Sequence, residues 1–374
     1  MKLFQCQQCG QPLYFENTRC DSCGRDLGYL PAKETITALE PDGDAFRALE
    51  EPAGRYRYCA NQKFSACNWL VPKGGDAYCP ACRYNRTIPD LSRGNNLANW
   101  RKIEIAKHRL FYTLLRLRLP LKTRVEDPQD GLAFDFLADD ESPAPVMTGH
   151  QHGLITINLA EADDAERERR RSQMGEPYRT LLGHFRHEIA HYFWDQLIAN
   201  STVLESFRTI FGDERRDYGG ALKEHYASGP PSDWPQHFVT SYASAHPWED
   251  FAETWAHYFH MVDTLETANA FGIRVKPSVD AGLAARIDFD PHLADMDRLV
   301  HAWLPLTFAM NSINRSMGLA DLYPFVLAPA VIVKLQFVHD CIRTQGGRLA
   351  RPPGRGGALR AMVAGLKRKV GSPA

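Results

Sequence analysis

Residues 181–197 read LLGHFRHEIAHYFWDQL. Leu181, Leu182, Phe185, Ile189, Phe193 and Leu197 recur at helical spacing, and the pattern predicts a helix over Pro177–Ala199. Gly183 weakens that helix one turn before its centre. Within it, His187-Glu188-Ile189-Ala190-His191 matches H-E-x-x-H. Positions four apart lie one turn apart on one helix face, so both imidazoles can grip a single zinc ion. Glu188 is offset from that face. It sits beside the metal, where it can take a proton from a zinc-bound water whose pKa falls to about 7.

Catalytic zinc needs a third protein ligand and one open position. Residues 242–257 read YASAHPWEDFAETWAH, with Pro247 suited to a first helical turn. Glu249, Glu253 and His257 then repeat at intervals of four along one stripe. Carboxylates among aromatic and alanine neighbours need a metal or a hydrogen-bonded histidine as partner. Spacing leaves both Glu249 and Glu253 open as that third ligand. Glu253, one turn further on, can accept a hydrogen bond from a ligand histidine, and Asp195, four residues past His191, competes for that role.

Outward from this core, the cysteines give the second sharp signal. Eight of the nine lie within the first 82 residues. Cys6-x-x-Cys9 with Cys20-x-x-Cys23 predicts one tetrahedral zinc site, with sulfurs about 2.3 Å from the ion. Gly10 and Gly24 follow the second cysteine of each pair and suit tight turns. Cys59, Cys67, Cys79 and Cys82 predict a second site, with an expanded turn between Cys59 and Cys67. A disulfide framework would need an oxidising compartment, and no signal-peptide segment opens the sequence given. The ninth, Cys341, reads as a buried apolar residue in a helix.

The 374 residues are 44% hydrophobic and 24% charged, ordinary globular values. A net charge of -1 excludes a generally basic nucleic-acid coat. Residues 1–90 hold 11 Lys/Arg against 11 Asp/Glu, so nucleic acid is not the expected partner of the cysteine-rich region either. No run of about 18 apolar residues suggests a membrane span. The expected setting is the cytoplasm.

The run Glu249-Asp250-Phe251-Ala252-Glu253 is similar to a segment of the anthrax lethal factor protease and its relatives among the gluzincin metallopeptidases. Asp250 departs from the apolar residue usual at its place, which is not a ligand position. The whole arrangement resembles the bacterial Peptidase_Mx family of zinc-binding metallopeptidases, which carry an N-terminal zinc ribbon. That likeness runs through the cysteines, Leu154–Asn158, Tyr178–His191 and Pro247–Thr267. It implies zinc ligation by His187, His191 and Glu249, with Glu188 as general base. Tyr242, seven residues before Glu249, takes the place of a tyrosine that assists catalysis.

The expected fold is α+β and mostly α. A tandem zinc-ribbon region over 1–90, small and β-rich, precedes a gluzincin-like metallopeptidase domain over 91–345 and a basic, flexible tail over 346–374. One catalytic and two structural zinc ions are expected, with a peptide or protein substrate and a protein partner or gating role for the ribbons. The alternatives are a zinc-ribbon adaptor on a silent peptidase scaffold, and a zinc hydrolase of non-peptide amides.

Among the finer expectations, residues 24–55 read as a loop-rich connector with short strands near Tyr29 and Ile36. Helices are expected over 95–119, 202–211, 217–227, 235–245, 247–269, 293–315 and 323–344. The charged run Glu161–Arg171 reads as a solvated helix face. Gly153–Asn158 reads either as an edge strand beside the metal or as a core strand.

Overall fold

The computed structural model describes residues 1–139, 146–174 and 180–345. The predicted basic tail over 346–374, and Pro177 and Tyr178 at the start of the predicted motif helix, lie outside the described residues. The fold is α+β, with β structure concentrated at the N-terminal end and helices dominating the rest.

Strands β1 (Phe4–Gln5) and β2 (Pro12–Leu13) pair around the first Cys-x-x-Cys turn. The supposed connector is a sheet instead. Strands β3 (Leu27–Leu30), β4 (Thr35–Asp42), β5 (Ala45–Ala48), β6 (Glu51–Tyr58) and β7 (Leu70–Pro72) form one antiparallel meander in chain order. The Pro and Gly residues that suggested loops sit at hairpin turns or within strands that stay half exposed, as Pro52 and Gly54 do in β6. Tyr29, Ile36 and Trp69 are fully buried under this sheet.

Strand β8 (Asn85–Thr87) leaves the cysteine-rich region and enters a second sheet. Helix α1 (Asn96–Arg116) follows, then strand β9 (Ala133–Leu137), which runs parallel to β8. Strands β10 (Gly149–Gln151) and β11 (Leu154–Asn158) complete the order β10-β11-β9-β8. His152 and Gly153 form the two-residue turn between β10 and β11, both at positive φ (47° and 73°). At Gly153 a Cβ would also collide with the Asp130 carbonyl oxygen, so only glycine fits. Leu154–Asn158 is therefore an interior strand, paired on both sides, and the edge is Gly149–Gln151.

Helix α2 (Asp164–Met174) begins after a short 3-10 turn. Its charged first turns are mostly solvated, but Glu161 lies before the helix and is fully buried, 3.3 Å from His184. Helix α3 (Leu181–Leu197) carries the H-E-x-x-H motif, and the Thr180 hydroxyl caps it by accepting from the Gly183 amide. Short helices α4 (Leu204–Phe211), α5 (Tyr218–Ser228) and α6 (Trp234–His237) follow. The helix expected over 235–245 is only α6 and a separate 3-10 turn at Tyr242–Ser244, because Phe238 turns extended between them.

Helix α7 (Pro247–Ala270) is almost wholly buried. Strands β12 (Arg274–Val275) and β13 (Ala285–Arg286) make a small hairpin, and helices α8 (Met296–Ser316) and α9 (Pro329–Gln345) close the structure. Helix α3 is sandwiched. Phe185 meets Phe134 and Phe136 of the second sheet, and Phe193 stacks on Trp255 of α7 at 5.2 Å. One apolar core runs without interruption from Phe4 through Trp69 and Trp100 to Ile342. None of the described helices is long and apolar enough to cross a membrane.

Candidate active site and metal centres

Helix α3 presents His187 and His191 on one face, and α7 brings Glu249 to meet them. His187 Nε2 lies 3.0 Å from one Glu249 oxygen, and His191 Nε2 lies 3.6 Å from the other. The two Nε2 atoms are 3.3 Å apart. Three donors from two rigid helices thus point at one spot, a histidine–histidine–carboxylate set that fits zinc. Glu249 is 1% exposed, and one of its oxygens has no hydrogen-bond partner. A buried carboxylate oxygen left bare in this way is what a missing cation would satisfy.

The surroundings fix the donors. Glu253 accepts a hydrogen bond from His187 Nδ1 at 2.7 Å. A carboxylate only accepts, so Nδ1 carries a proton, and in the neutral ring Nε2 keeps its lone pair facing the spot. Asp195 is not part of this arrangement. Its charge environment is Asp130 and His152, and burial raises its carboxyl pKa to about 6. Helical geometry explains the difference: both residues lie one turn past a candidate ligand, but only α7 turns that next position toward α3.

Burial pushes the Glu188 carboxyl up to about 7, against the pull of His187. Burial also works against the charged form of Glu249, but His191, His187 and Tyr218 hold its carboxyl down at about 2.

Tyr242 sits on the 3-10 turn before α7, its ring 6.0 Å from that of His187. Burial and the charge of Glu249 hold its hydroxyl well above the usual tyrosine range. Tyr218, at the start of α5, donates its hydroxyl to Glu249 at 2.8 Å and was not legible as a site residue. No spacing rule links it to the motif, since it reaches the centre by tertiary folding 31 positions before Glu249. His150 of edge strand β10 is a second such residue, with its ring stacked 6.0 Å from His191.

His246 does not face the cleft. Its Nδ1 accepts from the Trp248 amide as the cap of α7, and its Nε2 reaches the Arg216 carbonyl. His257 packs in the core against Tyr323 at 2.7 Å, and His260 meets Arg186. Asp250 forms a buried ion pair with Lys334 of α9 at 2.6 Å, which ties that helix to α7.

The cysteines gather into two sets of four. Cys6, Cys9, Cys20 and Cys23 converge from two tight turns, with Gly10 and Gly24 at positive φ (77° and 72°). Cys59, Cys67, Cys79 and Cys82 converge likewise, and the long Cys59–Cys67 interval is taken up by a 3-10 turn at Ala60–Phe64. All nine cysteines are free. Four converging sulfurs fit zinc at each cluster.

Comparison with known proteins gives two matches along the chain. Residues 3–93 match a zinc-ribbon domain, and residues 96–341 match the family described as "putative zinc-binding metallo-peptidase". The chain belongs to that metallopeptidase family. It is also 43% identical over 349 residues to uncharacterized proteins of Mycobacterium bovis and of Mycobacterium tuberculosis strains CDC 1551 and H37Rv. Each alignment covers 91% of this chain and 95% of the relative. No solved structure matches the chain.

Proposed function

We propose that the protein is a zinc-dependent peptidase of the gluzincin kind, hydrolysing peptide bonds in a peptide or protein substrate. The observation that carries this reading is the convergence of His187, His191 and Glu249 beside a buried, motif-borne Glu188. Those three residues would hold the ion. When bound, zinc supplies a Lewis acid for the scissile carbonyl and acidifies a water.

The chain's own groups do the rest. Glu253 holds the Nδ1 proton of His187 and keeps the ring oriented. Glu188 takes one proton from the attacking water and passes it to the nitrogen as the carbon–nitrogen bond breaks. Tyr242, with its ring beside His187, donates to the oxygen that gains charge in the tetrahedral transition state. Strand β10, the sheet edge beside α3, offers main-chain groups to an extended substrate.

The zinc-ribbon region over 1–90 recruits a protein substrate or gates the site, and exposed aromatic residues such as Tyr14 and Tyr78 support a contact role. Free thiolate donors require a reducing compartment, so we place the protein in the cytoplasm.

The test pairs metal content with turnover on a peptide library, with non-peptide amides run alongside. Zinc per chain is expected to fall from three to two in His187→Ala. Peptide cleavage is expected to fall by about 10²–10⁴-fold in Glu188→Gln with zinc content unchanged. Cleavage at the wild-type rate in Glu188→Gln would overturn the mechanism, and unchanged zinc in His187→Ala would overturn the ligand assignment.

A further inference from the structure

The second cysteine cluster is not made of cysteines alone. Helix α1 sends His108 into it, and the imidazole is 4% exposed. His108 Nε2 lies 3.2 Å from Cys67 Sγ, 3.5 Å from Cys82 Sγ and 3.8 Å from Cys79 Sγ. No hydrogen bond joins it to Cys59.

The other ring nitrogen decides the tautomer. His108 Nδ1 lies 2.6 Å from the Glu104 carbonyl oxygen one turn back. A carbonyl only accepts, so Nδ1 carries a proton. In the neutral ring Nε2 is then a bare lone pair aimed at three sulfurs, the arrangement by which a metal-ligating histidine is usually held.

The distances fit a metal. Bonds of about 2.3 Å to sulfur and about 2.0 Å to nitrogen at tetrahedral angles put sulfurs about 3.8 Å apart and nitrogen about 3.5 Å from each sulfur. Cys67 and Cys79 are 3.7 Å apart, and the three nitrogen contacts scatter around the second value.

Charge favours the same set. Four thiolates around a divalent ion leave a doubly negative unit, whereas three thiolates and an imidazole leave a singly negative one. At the first cluster Cys9 is exposed and Cys23 half-buried, so water can screen the larger charge. At the second, all four cysteines are buried, and the Glu104 carboxylate 3.6 Å from Cys82 is matched by the Lys107 ammonium, so screening by water is absent there. Burial makes each uncompensated charge costly, so the less negative donor set is preferred there. A second cation using Cys82, Glu104 and His108 is disfavoured, because the ammonium of fully buried Lys107 already sits 2.8 Å from Glu104.

We propose that His108 Nε2 is a ligand of the second metal site, completing a tetrahedron with Cys67, Cys79 and Cys82, with Cys59 as the spare donor. The metal then joins the zinc-ribbon region to helix α1 of the peptidase region. The proposal does not depend on the peptidase reading.

The test loads the full-length protein with cadmium-113 and labels its histidines with nitrogen-15. One cadmium resonance in the thiolate-rich range is expected to show direct coupling to a histidine nitrogen, and His108→Gln should abolish that coupling. The histidine–carboxylate centre resonates in a separate range and does not interfere. Cys59→Ser is expected to keep this cadmium signal and its coupling. Thiolate-range resonances without nitrogen coupling in the wild-type protein would overturn the proposal, as would loss of the second-site cadmium in Cys59→Ser. The wild-type measurement stands even if either variant fails to fold.

Discussion

Cys59, Cys67, Cys79 and Cys82 are all buried and belong to the apolar core. At His187, His191 and Glu249 the donors converge as tightly, yet the His187 side chain stays 13% exposed and the adjoining Tyr218 is 40% exposed. The first arrangement leaves no side open, as suits an ion that holds chain segments together. The second leaves one side for water and substrate, as suits an ion that does chemistry. The cysteine clusters should therefore carry folding, and the histidine centre should carry turnover.

The sharpest way to break this comparison is to remove one ligand from each. Structural zinc contributes apparent binding energies of about 10–16 kcal/mol in small zinc-dependent folds. Cys82→Ser, at a fully closed site, should lower the melting temperature by about 10 °C or more, or prevent folding. His187→Ala should shift it by only a few degrees, because Trp255 and the sheet aromatics still clamp α3. Differential scanning calorimetry of both variants decides the point. Equal effects would erase the distinction between the two kinds of site.

Next in size is the loss of chemistry without loss of metal. Glu188→Gln keeps the shape of a side chain that is 9% exposed and touches no ligand atom. General-base catalysis is worth about 10²–10⁴-fold, so peptide turnover should fall by about that factor while metal content stays constant. A comparable fall in metal content would make Glu188 a ligand rather than a base.

Much of this was legible beforehand, for a physical reason. Helical spacing, Cys-x-x-Cys turns and the Pro247 helix start are local, so His187, His191 and both cysteine sets could be named from spacing, while the choice of Glu249 over Glu253 needed the family resemblance as well. Residues that arrive through tertiary folding could not. Tyr218 comes from α5 and His150 from a sheet edge, and nothing in their own neighbourhoods announces the metal. The five-stranded meander over 27–72 was hidden for a related reason. Strand β4 is buried at four consecutive positions and β6 carries Pro52 and Gly54, so period-two alternation is weak in both. Glu161 shows the converse error, since a charged run does not reveal that its first acid is buried against His184.

A smaller effect is expected from the carboxylate that orients His187. Outer partners of metal-bound histidines are worth about 10–100-fold in metal affinity. Glu253→Ala should weaken zinc binding by that amount in chelator competition, with far-ultraviolet circular dichroism unchanged. An unchanged affinity would mean that the 2.7 Å contact with His187 is packing and nothing more.

Asp195 provides the matched control, because it too lies one turn beyond a candidate ligand but faces Asp130 and His152 instead. Asp195→Asn should leave zinc affinity untouched. Its effect should appear in stability, and with a definite sign. Burial raises the folded carboxyl to about 6 from an ordinary 3.8. The folded protein therefore binds this proton more tightly than the unfolded chain. The stability contributed by the neutral carboxyl is complete below about pH 4 and is lost as the pH rises through about 6. The side chain is half-buried, so water screens it and the gain from asparagine at pH 7 shrinks to about 1 kcal/mol. Thermal melts of the two proteins should coincide near pH 4 and separate above pH 6, with the variant the more stable. Curves that separate toward acid would reverse the sign, and would mean that the ionised carboxylate has a stabilising partner in the folded chain.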